Sequence, residues 1–189
     1  SNQMNYKKLD IKANRASRPY SQSEYIRRIL WSFGLLLFKL TPRTSFRLRC
    51  SILRLFGAQI GEKVHIYPSA RIYLPWKLKI GAQSSIGENV LIYNLGMVEI
   101  GDKSTVSHGA HICAGTHDHN DPKLPLMRDQ ISIGSYVWIC SDAFISPSVE
   151  INDYAIVGAR AVVTKSVPSG HVVVGNPAKF IKHRFISEK

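Results

Sequence analysis

The sequence predicts an all-β solenoid: a parallel β-helix led by an N-terminal helical segment and closed by a short C-terminal tail. Three observations predict it. Ile or Val stands at fifteen positions, arranged in threes six residues apart, from Ile60, Ile66 and Ile72 to Ile151, Val157 and Val163. Two residues before each, the chain has Ala, Val or Ser in thirteen of the fifteen cases. Side chains on a strand alternate with period two, so each aliphatic shares a face with that small or branched partner. Gly follows directly at Gly61, Gly81, Gly87, Gly101, Gly134 and Gly158, where it is expected to let the backbone turn a corner. Short strands cornered every six residues wind into three-sided coils, each covering the apolar edge of the next. A helical reading fails, because six does not fit a 3.6-residue period over so many repeats.

In chain order, residues 1–4 read as an expression scar, with Ser1 and Asn2 ahead of Met4. Residues 5–57 form a basic helical segment. Within it, residues 22–40 read as a helix with Ser21 or Ser23 as cap and Pro42 as terminator, and a second amphipathic piece begins at Phe46. Helices beneath a solenoid are expected to cap its open core. The alternative is peripheral attachment to an anionic membrane, with Trp31 and Phe33 near Arg27 and Arg28, which would suit an enzyme acting on lipid-linked saccharides. The apolar run Ile29–Phe38 is too short to span a bilayer. Residues 58–175 form the β-helix, and residues 176–189 the tail.

The repeat is interrupted three times. Ile72 to Ile80 and Ile92 to Ile100 are steps of eight, which widen two corners. Ile112 to Ile133 is a step of twenty-one, which implies an inserted loop at 117–130. A long excursion from a regular solenoid is where function is expected.

Charge and cysteine usage narrow the class. Residues 1–59 carry 12 Lys/Arg against 2 acids, or +10, and residues 60–189 carry 13 against 11, or +2, so the net charge of +12 belongs to the N-terminal third. Basic residues interleaved with aromatics on the main fold, or a binding motif, would mark a nucleic-acid protein, and neither is present. Cys50, Cys113 and Cys140 are odd in number and scattered, which argues for a reducing, cytoplasmic compartment and against a disulfide framework. No secretory signal is read at the start.

Four stretches carry a resemblance: Cys113-Ala-Gly-Thr-His117-Asp-His119, Ile131 to Asp142 around Trp138, Val157 to Lys165, and Gly175-Asn-Pro-Ala-Lys179. With the [LIV]-G-x-x-x-x repeat, they make about two thirds of the chain similar to the bacterial hexapeptide-repeat acyltransferases. Within that family the likeness is to galactoside and maltose O-acetyltransferases and to exopolysaccharide (colanic-acid-type) acetyltransferases. The resemblance implies a left-handed β-helix, a homotrimer with sites between subunits, and transfer of acetyl from acetyl-CoA, as cosubstrate, to a saccharide hydroxyl.

His117, at the mouth of the loop, is the expected catalytic residue. Acyl transfer from a thioester needs a base that is neutral near pH 7 to take the hydroxyl proton, and histidine meets that requirement. A surface-loop histidine is the plain alternative. Asp118 is a weaker candidate for orienting the ring, since adjacent side chains on an extended segment point apart. His119 is a candidate acceptor contact. Asn94, at a widened corner, matches a family asparagine that bonds the acceptor; a turn asparagine is the alternative. With eighteen residues per coil, Ser141 and Ala159 stand one coil apart on one face, and Lys165 lies a face onward. The resemblance gives Trp138, Ser141, Ala159, Thr164 and Lys165 to the coenzyme, with Lys179, and secondarily Lys182, meeting its phosphates. The N-terminal third has no counterpart to the galactoside enzymes' acceptor-contacting segment, so the acceptor is not carried over.

Other classes remain beside this one. They are an N-acetyltransferase acting on an amino (nucleotide-)sugar, a γ-class carbonic-anhydrase-like zinc protein, and a silent scaffold. His65, His108, His111, His117 and His119 do not reproduce the zinc family's three-histidine spacing, and no metal is expected. Serine acetyltransferases carry a much larger helical N-terminal domain.

Overall fold

The computed structural model describes residues 8–187, so the scar read at residues 1–4 lies outside the described residues. Short strands stack into three parallel sheets that form the sides of a prism. Ile60, Ile80, Ile100, Ile133 and Ile151 register along the first side. Ile66, Ile86, Val106, Ile139 and Val157 run up the second, and Ile72, Ile92, Ile112, Ile145 and Val163 up the third. All fifteen repeat aliphatics are no more than 9% exposed, and the residue two before each is buried as well. The prism interior is therefore the core. β-Branched rows line the sides, and the row two residues earlier is mostly alanine on the third side but larger on the first, with Leu78, Val98, Ile131 and Val149.

The corners work differently from the expectation. The left-handed backbone falls on the third residue after the aliphatic, at Lys63, Gln83, Lys103, Tyr136, Asp142, Tyr154 and Arg160 among others, with φ between 53° and 62°. The glycines that directly follow the aliphatics have ordinary φ. Their hydrogen is needed for stacking: a Cβ on Gly61 would lie 2.6 Å from the Ala82 nitrogen, and one on Gly101 2.6 Å from the Gly134 carbonyl carbon. Glycine there lets one coil lie on the next.

On the strands, each coil donates its N–H groups to the carbonyls of the coil that follows, as Gly61 to Ile80 and Gly81 to Ile100. The first coil's carbonyls thus face an open end, where buried acceptors need donors. Three helices lie N-terminal to it: α1 (Ile11–Ala16), α2 (Gln22–Leu40) and α3 (Phe46–Leu55). Ser21 caps α2 by accepting from the Glu24 N–H. The Trp31 indole donates to Ile72 O, Arg49 to Ile66 O, Cys50 to Val64 O, and Arg54 to Ile60 O and Gly61 O. Trp31, Phe38, Cys50 and Leu53 join the core. The helices therefore cap the solenoid with apolar and polar groups together. At the other end, the strand His171–Val174 extends the second side and Lys179–His183 folds back antiparallel on it.

Candidate active site

The chain leaves the third side after His111–Cys113, forms an antiparallel hairpin of Thr116–His117 with Leu126–Met127, and returns at Ile131–Ile133. The His117 side chain is exposed, and its Nδ1 lies 2.6 Å from Leu124 O. A carbonyl only accepts, so Nδ1 carries the proton and the neutral ring keeps its lone pair on Nε2. That is the tautomer a general base requires. Asp118 is engaged elsewhere. Its Oδ1 accepts from the Asn120 N–H in a local turn, so the ring is oriented by a backbone carbonyl and not by this carboxylate. His119 is exposed.

The Leu124 carbonyl is itself held. Leu124 sits at φ 46°, unusual for a bulky residue, in a turn closed by its N–H to Asp121 O at 2.9 Å. The Asn14 amide of α1 donates to Lys123 O at 2.8 Å and to Leu124 O at 3.0 Å. Nearby, the Asp10 N–H donates to Pro122 O, and Arg128 binds Pro19 O and the Glu24 carboxylate. The N-terminal segment, in which the sequence suggested no counterpart to an acceptor-contacting arm, is thus laced to the loop that carries His117. The Tyr20 ring lies between the Arg28 and Arg128 guanidiniums, with centroid distances of 3.7 and 4.5 Å. Lys77 lies near Arg28, Arg128 and Glu24, and burial pushes its ammonium pKa down. Together these groups make the rim beside the hairpin net cationic.

Asn94 requires a correction. It is completely buried. Its Oδ1 accepts from Leu74 N, and its amide donates to Leu74 O and Lys77 O. Both amide protons are used inside the chain, so Asn94 ties one widened corner to the next and presents no donor to an acceptor hydroxyl. It is neither the acceptor contact nor a local turn residue but a tie between corners.

The coenzyme candidates divide between edges of the prism. Thr164 and Lys165 share the third-to-first corner with the hairpin, since the chain passes from Val163 to a bridge between Val167 and Ile151. Ser141 and Ala159 stack in the second-to-third corner, eighteen residues apart as the registers Trp138 with Ile156 and Phe144 with Val162 require. Ser141 Oγ is 3.5 Å from His108 Nδ1. Trp138, 47% exposed, stands on the second side and donates to Ser107 Oγ at 2.9 Å. Lys179 and Lys182 are exposed on the closing strand. One chain does not bring His117 together with Trp138, Ser141 and Ala159.

Of the remaining histidines, His65 stacks on Phe46, His111 meets Phe144 edge-on, and His171 and His183 pack together on the closing strands. Among the described residues, no three His, Cys, Asp or Glu side chains converge on a point where a metal would sit. Burial raises the pKa of Cys113 and Cys140, so both are protonated thiols at neutral pH and poor nucleophiles.

Comparison with known proteins agrees with this architecture. No protein-family model matches the chain. A protein of Escherichia coli (strain K12) named as a colanic acid biosynthesis acetyltransferase, WcaF, is 39% identical over 161 residues, covering 85% of this chain and 88% of the relative. A maltose O-acetyltransferase from Clostridium difficile 630 superposes with a TM-score of 0.80 at 24% identity, covering 88% of this chain and 90% of that one. A galactoside acetyltransferase in complex with coenzyme A gives 0.79 at 24% identity, covering 92% and 88%. The prism is therefore the left-handed β-helix of these structures, and the chain belongs to the hexapeptide-repeat acetyltransferase family.

Proposed function

We propose that this protein transfers acetyl from acetyl-CoA to a sugar hydroxyl in polysaccharide biosynthesis, with His117 as general base in a direct ternary complex. The observation that carries the reading is the His117 Nδ1–H bond to Leu124 O, which leaves Nε2 free to take the hydroxyl proton. The freed oxygen attacks the thioester carbonyl, the new C–O bond forms, and the C–S bond breaks. The proton held on Nε2 leaves with the coenzyme thiolate. Direct attack is favoured because Cys113, at the root of the hairpin, is held as a thiol. The names of WcaF and of the galactoside and maltose enzymes support an O-acetyl acceptor of saccharide type.

A homotrimer supports the site best. His117 lies on one edge of the prism, while Ser141, Ala159 and Trp138 lie on the next edge and side; a neighbouring chain supplies the second set opposite the first. Small residues at half-buried Ser141 and exposed Ala159 suit close approach by pantetheine, and Lys165 and Lys179 are point charges for its phosphates. His119, exposed on the same hairpin, is the acceptor contact. The reaction belongs in the cytoplasm, which the three free thiols suit.

The test is release of coenzyme thiol from acetyl-CoA with a panel of sugars and amino sugars, for wild type and His117→Ala. The substitution is expected to cut turnover about a hundredfold or more. Turnover kept within a few-fold would remove His117 as the base. Transfer to amino sugars alone would move the reaction to nitrogen.

A further inference from the structure

The cap helix α2 has two apolar faces, and the solenoid uses one. Trp31, Gly34 and Phe38 are buried against the coils. Ile26, Ile29, Leu30, Phe33, Leu37 and Leu40 point the other way and are 54–71% exposed. At 100° per residue these six fall within about 100° of arc, one continuous stripe along the helix. On α3, Leu48 and Leu55 are also exposed, at 51% and 83%. Contiguous apolar patches beyond a few hundred Å² are unusual on a monomer and mark a contact surface. The sequence suggested Trp31 and Phe33, near Arg27 and Arg28, for such a contact. The structure keeps Phe33 and removes Trp31, which is core; Arg27 stays exposed while lying over Trp76, and Arg28 lies over Tyr20.

Charge selects the occupant. Residues 1–59 carry +10, and their two acids are both engaged. Asp10 caps α1, and Glu24 pairs with Arg128. Lys12, Arg15, Arg18, Lys39 and Arg47 remain exposed. A second copy docked face to face would bring two such surfaces together and be repelled. Lys39 on α2 and Arg47, next to Leu48 on α3, stand on the same helices as the exposed apolar residues, so an anionic lipid surface can meet both charge and stripe. No helix among the described residues is long and apolar enough to cross a membrane, so α2 would lie in the interface plane. We infer that α2, while capping the core with one face, docks this protein on an anionic bilayer with the stripe from Ile26 to Leu40.

Flotation with vesicles tests this directly. Wild type is expected to float with phosphatidylcholine vesicles containing about a third phosphatidylglycerol and to be released by salt. Phe33→Asp with Leu37→Asp changes two exposed side chains, so the fold and its thermal midpoint are expected to persist. The vesicle partition coefficient of this variant should fall about a hundredfold. A Phe33→Leu, Leu37→Met protein should still float. Wild type left in the lipid-free fraction at low salt would overturn the inference, as would a double-aspartate variant that floats like wild type. If wild type ignores vesicles while the aspartates break up a larger assembly, the stripe is an interface between copies and the lipid reading is wrong.

Discussion

Replacing Asn14 with alanine is expected to lower kcat about tenfold and leave the KM for acetyl-CoA within about a factor of two. The residue is 110 positions from Leu124 in the chain and its side-chain hydrogen bonds go to Lys123 O and Leu124 O, so its effect would pass through the loop. Its amide makes two hydrogen bonds, to Lys123 O and Leu124 O, each contributing about 0.5–1.5 kcal/mol. Those bonds hold Leu124 in a left-handed conformation that costs about 1–2 kcal/mol, and so hold the carbonyl that keeps the His117 proton on Nδ1. Losing about 1.4 kcal/mol of that preference gives the tenfold estimate. Alanine is the better helix former, so α1 itself is not the casualty. Asn14→Asp separates positioning from packing, because it keeps the shape and loses the donors. It should fall at least as far as alanine. Steady-state kinetics over varied acetyl-CoA and acceptor would read the split. An unchanged kcat in both variants, or a raised KM with kcat intact, would refute the positioning role.

Two further perturbations address the cap and the coil surface. Arg49 is completely buried with four hydrogen bonds, to Ile66 O, Thr41 Oγ1, Pro42 O and Arg43 O, and burial lowers its pKa without removing its charge. Arg49→Met should cost about 3 kcal/mol, chiefly from stranding the buried Ile66 and Thr41 acceptors, and lower the thermal midpoint by about 6–12 °C; a midpoint within about a degree of wild type would show that the cap does not depend on it. His111 has a pKa pushed below its ordinary 6.5 by burial and then by Arg71. The unfolded chain therefore takes up that proton first, so this contribution to stability is full above pH 6.5 and declines as pH falls from there through the lower folded value. Denaturant midpoints of wild type and His111→Phe, compared across that range, should converge toward low pH; parallel curves would exclude His111 as a source of the slope.

The uneven charge along the chain was plain from the sequence, but its meaning was not. Amphipathic spacing in α2 is compatible with either face turned inward, since Trp31 and Phe33 are both apolar and only two positions apart. Packing on the coils chose Trp31, whose indole reaches Ile72 O, and left Phe33 outside. Asn94 looked like an acceptor contact because, at a widened corner, it matches an asparagine of the family resemblance. Only the neighbouring corner, with Leu74 and Lys77 in reach, turned it into an internal tie.

What the sequence determined by itself was the solenoid, its interruptions and the residue at the mouth of the loop. Each repeat imposes the same local demand, a branched side chain inward and a small or aliphatic one two residues earlier, and repetition makes that demand readable. Tertiary structure decided the rest: that the glycines serve stacking and not turning, that Leu124 O sets the His117 tautomer, and that Asn14 holds Leu124. These are contacts between backbone atoms and residues far apart in the chain. A backbone carbonyl carries no side-chain signature, so no pattern in the sequence could have named it.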